Sequence, residues 1–270
     1  RDVAVTGVQT CALPIFARLF PEHSRSRLQS WLKTGRILID GRSPDSKSKV
    51  WGGETVQLSP APSDEVLAEQ AEDIPLNVVF EDDTLLVIHK PVGLVVHPGS
   101  GNRSGTLLNA LLHHDAGSRA LPRAGIVHRL DKDTSGLLVV ARTLEAQTDL
   151  VRQLQARSVK RHYYALVHGM PLESGRVEAP IGRHPVQRTK MAVVPGGREA
   201  LTHFRVVERF ERATLVECSL ATGRTHQIRV HMAHIGHPLV GDATYGKTRS
   251  ADPRLDAFPR QALHAWQLGL

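Results

Sequence analysis

Cysteine is nearly absent: Cys11 and Cys218 are the only two in 270 residues. That excludes a disulfide framework and a cysteine-based metal centre, and it fits two free thiols in a reducing compartment. No apolar run approaches the roughly 20 residues of a membrane span, and no basic segment followed by a continuous apolar one opens the chain, so a cytoplasmic protein without a membrane partner is expected. Internal repeats and low-complexity tracts are also lacking. Lysine is scarce, with 8 of the 34 basic residues, so arginine carries most of the net charge of +7. A guanidinium grips phosphate through a planar fork of donors, and an arginine-biased basic protein leans toward a polyanionic partner. GC-rich coding alone would give the same bias, so the distribution of charge along the chain has to decide. Hydrophobic residues make up 41%, ample for one large domain or two modest ones.

Residues 17–60 hold eight Lys or Arg against four acids, and residues 61–83 hold eight acids and no base. The simplest partition is a basic module (17–60), an acidic linker (61–73) and a long remainder (74–270). In the basic module, SRSRLQSWLKTG reads as a helix capped by Ser24, with Leu28, Trp31 and Leu32 as its apolar stripe and Gly35 as its stop. Arg25 and Arg27 fall in its first turn. RILIDGRSP reads as a strand turning at Asp40-Gly41, and VWGGETVQL as another strand pair or its return. A basic helix beside a small sheet suits RNA, although a solvated charged face has the same pattern.

In the remainder, LNVVFEDDTLLVIHKP reads as two strands around an acidic turn, ended by Pro91. Thr106–His114 and Thr143–Gln155 read as helices, the second with Leu150, Val151 and Leu154 inward. Gly136–Ala141, RHYYALVHG, LTHFRVVERF and ATLVECSL read as strands, and THQIRVHMAHIG as a helix capped by Thr225, with Ile228, Met232 and Ile235 inward and Gly236 as stop. Many strands joined by hairpins and few helices give an α+β class with a mixed, mainly antiparallel sheet.

Two polar tracts need weighing. His226, His231, His234 and His237 invite a metal, yet none of these neighbours is four residues apart, the spacing that a helix needs to present two ligands on one face, so no metal is expected. GSGNRSG fits neither the dinucleotide nor the phosphate-loop spacing and reads as a turn, one that could lie near phosphates. The densest charge is in HRLDKDTSG, where His128, Arg129, Asp131, Lys132 and Asp133 crowd the mouth of an apolar strand. Capping by Asp133 and Thr134 plus a surface pair of Arg129 with Asp131 would be the structural explanation. Buried charge is costly unless paired or employed, which favours a functional one. The residues alone leave Asp131 and Asp133 undecided.

HRLDKDTSG, RHYYALVHG and TGRTHQIRVHMAHIGHPLVGD, in that order, resemble the three motifs of the RluA-type pseudouridine synthases, and 17–60 resembles an S4 RNA-binding domain. The resemblance implies a pseudouridine synthase fold and cofactor-free isomerisation of uridines in large-subunit rRNA, free or in assembling particles. It makes Asp131 the catalytic carboxylate, whether as nucleophile on the sugar, as adduct former on the base or as a base on the sugar. It also implies that Arg129 fills the space left by a flipped uridine, that Tyr163 stacks on the target base, that Arg229 pairs with Asp131 and that Ile228 packs near the base. Without the resemblance, Tyr163 and Ile228 would read as core. Phosphate contacts are expected from Arg25, Arg27, Lys33 and Arg36. A monomer without a protein partner is expected. Two other classes compete: a non-catalytic rRNA-binding or assembly factor that has kept the fold, and a carboxylate-dependent nucleoside or glycoside hydrolase. The ends depart from the family pattern. Arg1–Phe16 has no clean period and resembles translated adapter sequence, so it is read as not native, and the family continues with strands beyond Leu270, so truncation at both ends is expected.

Overall fold

The computed structural model describes residues 2–4, 10–21, 23–45, 48–59, 70–99, 101–246 and 252–270, with backbone only at 2–4, 10–12, 26 and 27. The chain forms two compact units, Arg1–Leu67 and Ala68–Leu270.

The first unit holds β1 (Asp2–Ala4), β2 (Thr10–Cys11), α1 (Ala12–Leu19), α2 (Arg25–Lys33), β3 (Ile37–Ile39), β4 (Lys49–Val50) and β5 (Thr55–Leu58). Leu28, Trp31 and Leu32 of α2 turn inward as their spacing requires. The helix ends in a Schellman motif: Gly35 sits at φ 68°, its N–H donates to Leu32 O and the Arg36 N–H to Trp31 O, satisfying carbonyls that a helix end leaves open. Asp40 and Gly41 both have positive φ, and Ile39 and Arg42 exchange two backbone hydrogen bonds, the two-residue hairpin expected of Asp-Gly. The reading of Arg1–Phe16 as aperiodic needs correction. From Ala12 the chain is helical, and Phe16 and Phe20, four residues apart, are both fully buried with Leu28 and Trp31. Pro14 is tolerated because it falls in the first turn, where a missing N–H breaks no helical bond.

The second unit is built on β6 (Val78–Glu81), β7 (Leu85–Lys90), α3 (Leu107–His114), β8 (Ser135–Ala141), α4 (Leu144–Gln155), β9 (Lys160–His168), β10 (Ser174–Glu178), β11 (Ile181–Arg183), β12 (Met191–Val193), β13 (Leu201–Arg209), β14 (Ala213–Leu220), α5 (Gln227–His234) and β15 (Leu263–Gly269). Its eight-stranded sheet runs β10-β13-β14-β9-β15-β8-β7-β6, and β15 with β8 is its one parallel pair. The mainly antiparallel α+β expectation therefore holds. β11 and β12 form a separate hairpin. Because β15 inserts between β8 and β9, the residues before it lie beside the loop that enters β8.

Three local expectations change. Residues 70–73, read as the end of a linker, are anchored to this unit: Asn109 Nδ2 donates to Gln70 O, Glu72 N to Asn109 O, and the Glu72 carboxylate accepts from Gly105 N. Residues 61–69 lie outside the described residues. Val151 of α4 is 37% exposed while Leu150 is buried, because one helix face can cover only one side of the sheet. The residue before α5 is His226, not Thr225, and it takes the left-handed conformation at φ 57°, ψ 24°.

Candidate active site

The loop 128–134 enters β8, and two cations from other elements fix its backbone. Lys90, at the end of β7, is fully buried, and its ammonium donates to the carbonyls of Pro91 (2.7 Å), Leu94 (2.9 Å) and Lys132 (3.0 Å). Three acceptors match its three protons, which is what a buried ammonium requires. Burial pushes its pKa down to about 8, against the pull of Asp133 and Asp131. Arg260 Nη1, just before β15, donates to the carbonyls of Asp133 (3.2 Å), Gln261 (2.9 Å) and Leu263 (3.2 Å). Within the loop, Thr134 N–H donates to Asp131 O at 3.1 Å.

These clamps present Asp131 to a cleft of about 960 Å³. Arg229 Nη1 of α5 donates to Asp131 Oδ2 at 3.1 Å, while its Nε and Nη2 grip both oxygens of the buried Asp242 at 2.7 and 2.9 Å. Burial would lower the Arg229 pKa, but the hydrogen bonds and charges of Asp242 and Asp131 outweigh it and the group is held above its ordinary range. Burial pulls Asp242 the other way, up, and the Arg229 bonds together with the N–H groups of Thr244 and Tyr245 leave it net lowered. Arg229 is thus ionised, oriented by one carboxylate and offered to another. The surface pair of Arg129 with Asp131 considered from sequence does not form; Asp131 pairs with Arg229, whose guanidinium reaches it from α5.

His226 completes this corner. Its Nε2 lies 3.9 Å from Asp131 Oδ1, and its Nδ1 is 2.8 Å from the Tyr245 hydroxyl, which also accepts from Met191 N–H at 2.9 Å. The Arg229 guanidinium lies over the Tyr245 ring at 5.1 Å, a cation–π contact. Burial lowers the His226 pKa, opposed by Asp131 and aided by Arg229.

The rest of the cleft is cationic and partly apolar. Arg123, Arg129, Arg157, Arg161 and Arg224 line it with Arg229, and Asp131 is its one carboxylate among the described residues. Arg129 is exposed at its mouth. Tyr163 of β9 and Ile228 of α5 are 6% and 3% exposed and belong to both the cleft wall and the hydrophobic core. Burial, with Asp131 adding to it against Arg161, pushes the Tyr163 hydroxyl up to about 12, which keeps the ring a neutral apolar face. Asp133 does not line the cleft; the loop uses its carbonyl. An ionised carboxylate between an apolar face and a field of arginines can attack or deprotonate a sugar carbon while the arginines neutralise phosphate.

The other singled-out residues fall as follows. His231 is buried, bonded to Thr202 Oγ1 and Ala179 O, and His237 to His168 O; among the described residues no group of three or more His, Cys, Asp or Glu could hold a metal ion. In GSGNRSG, Gly99 and Asn102 exchange two backbone hydrogen bonds. Cys218 is buried and free, its thiol pushed up to about 12 by burial and Glu217; the Cys11 side chain lies outside the described residues. Arg25, Lys33 and Arg36 are exposed on the first unit, and the Arg27 side chain lies outside the described residues. Sequence reasoning missed Lys90, Asp242, Tyr245 and Arg260 and weighed His226 only as a metal ligand. A buried-strand lysine before proline in VIHKP, and the aspartate in HPLVGD, were the available signals.

No helix among the described residues is long and apolar enough to cross a membrane. Residues 84–234 match the RNA pseudouridylate synthase family. The chain is 58% identical over 257 residues to ribosomal large subunit pseudouridine synthase D of Nitrosomonas europaea, covering 94% of this chain and 75% of that protein. It is 56% identical over 260 residues to the protein of the same name from Pseudomonas aeruginosa, covering 93% and 81%. Among solved structures, human RNA pseudouridylate synthase domain containing 1 aligns at 28% identity with a TM-score of 0.59, covering 74% of this chain and 80% of that one. With this family match spanning more than half of the chain and relatives this similar over most of their length, the chain belongs to the RNA pseudouridylate synthase family.

Proposed function

We propose that the protein isomerises uridines of large-subunit rRNA to pseudouridine with Asp131 as the catalytic carboxylate. The observation that carries this reading is the one carboxylate, among the described residues, of an arginine-lined cleft, hydrogen-bonded by a buried guanidinium. The N1–C1′ bond of the nucleotide breaks, a C5–C1′ bond forms, and the proton leaves C5 and arrives at N1. No electrons are gained or lost, so the reaction needs no redox cofactor.

Each side chain then has a part. Asp131 acts at the sugar, where charge develops as the base departs. Arg229 pairs with it and keeps it aimed. Tyr163 and Ile228 receive the extruded base on an apolar face, and Arg129 occupies the space that the base leaves, which lowers the cost of unstacking. Residues 17–60 serve as an S4-like RNA grip through Arg25, Arg27, Lys33 and Arg36, and 74–270 as the catalytic domain. The enzyme works as a monomer in the cytoplasm, on free rRNA or on assembling particles.

The test is carbodiimide-dependent primer extension on unmodified large-subunit rRNA after incubation with the protein. Stops at discrete uridines that vanish with Asp131→Asn are expected. No stops on naked RNA or on precursor particles would favour a binding factor, and release of free uracil would favour a hydrolase.

A further inference from the structure

The two oxygens of Asp131 have unequal company. Oδ2 accepts from Arg229, whereas Oδ1 faces His226 Nε2 at 3.9 Å, beyond hydrogen-bond reach. Both side chains open to the cleft, at 17% and 21% exposure. A polar gap of this width is one atom wide. An oxygen placed about 2.8 Å from each atom would subtend an angle of about 90° and could bond both.

The protons in the gap are set from behind. Met191 N–H donates to the Tyr245 oxygen, and among the described residues His226 Nδ1 is the one acceptor placed for the Tyr245 hydrogen. That places the hydrogen of neutral His226 on Nε2, pointing at the gap. The ring is held there by a backbone conformation at φ 57°, ψ 24° that side chains other than glycine rarely adopt, the kind of local strain that is retained where surroundings enforce it at a site. Across the gap, the Oδ1 of a carboxylate accepts. Whatever sits between must accept from one side and donate to the other.

We propose that the 2′-hydroxyl of the target uridine fills this gap, accepting from His226 Nε2–H and donating to Asp131 Oδ1. The inference rests on the reading that Asp131 acts at C1′. Of the oxygens around that carbon, the ring oxygen and uracil O2 accept but have no proton to give, and the 3′ and 5′ oxygens are phosphate esters. The 2′-hydroxyl, one carbon away, both accepts and donates. His226 is then a catalytic residue that selects ribose over deoxyribose at the reacting nucleotide, since the 2′-hydroxyl is the group that distinguishes RNA from DNA at one position.

The experiment is a four-way comparison of single-turnover rates. Wild type and His226→Phe act on a synthetic large-subunit rRNA fragment carrying either uridine or 2′-deoxyuridine at the modified position, located beforehand by mapping. Wild type is expected to be roughly tenfold or more slower on the deoxy substrate, because a site built for a hydroxyl leaves polar groups unpaired without it. In His226→Phe that ratio should shrink at least about threefold, the two losses failing to multiply. His226→Gln, which keeps an N–H donor, should recover part of both rate and ratio. An unchanged ratio in His226→Phe overturns the proposal and leaves His226 acting only through Asp131. If His226→Phe does not fold, Tyr245→Phe, which frees the tautomer, should lower the ratio, and full discrimination there overturns it equally. Turnover by Asp131→Asn on either substrate would instead locate the fault in the reading of Asp131.

Discussion

His128 is held as a neutral acceptor: Val139 N–H donates to its Nε2 at 3.1 Å, and burial, aided by Arg161, pushes its pKa down to about 4. Between the pH where an unfolded histidine titrates and about pH 4, the unfolded chain binds a proton that the folded one refuses, so stability falls as pH falls through that window. At pH 5 the loss from this residue should be on the order of 2 kcal/mol relative to pH 7.5. Urea unfolding at both values should show wild type losing about that much more than His128→Gln; equal losses would contradict the assignment. Residue by residue, the charge at the mouth of β8 was legible because it is local. Its resolution was not, because the partner of Asp131 is 98 positions away in sequence and Asp242 is farther still. The resemblance named Arg229 as the partner of Asp131, but Asp242, which orients it, belongs to no local pattern.

Among the elements, the join of β8 and β15 positions the loop. Gly136 sits at φ 120°, and a Cβ there would lie 2.1 Å from Ala265 O. Backbone cannot yield as a flexible side chain can, so Gly136→Ala should cost more than about 2 kcal/mol and lower the melting temperature by several degrees. Gly53→Ala, at a positive φ with nothing near its Cβ, separates backbone strain from collision; equal losses in the two would refute the close-approach argument. Helices and strands were legible where their periods were uninterrupted, as in Leu28, Trp31 and Leu32 or the run of β8. Their ends were less so. Thr225 has the chemistry of a cap, yet His226 takes that position, with its ring nitrogen 2.8 Å from the Tyr245 hydroxyl. Phe16 was missed because the sequence from Arg1 to Phe16 shows no clean period. The parallel insertion of β15 depends on pairing across more than 120 residues, which no local pattern encodes.

At the level of the whole molecule, exposed cations stand on the first unit, and in the second, arginines surround the one carboxylate of the cleft among the described residues. Phosphate binding releases counterions, so affinity for large-subunit rRNA should fall steeply with salt, and replacing Arg25, Lys33 and Arg36 by Gln should flatten the log–log slope by about 2 to 3. An unchanged slope would remove the RNA-gripping role from those residues. The division into a basic and a larger unit was legible from composition, and the antiparallel character from the hairpins; the cleft was not, since it is assembled from the loop that enters β8, the end of α4, β9, the end of β14 and α5. The central claim is that Asp131 performs the isomerisation while other groups bind RNA. Pseudouridine formation expels the hydrogen at C5, so the most direct measurement is single-turnover release of tritium from large-subunit rRNA labelled at uridine C5, by wild type and by Asp131→Asn, alongside the Kd of each. Tritium release by wild type alone, at matching affinities, is the predicted result; release by Asp131→Asn within tenfold of the wild-type rate would contradict it.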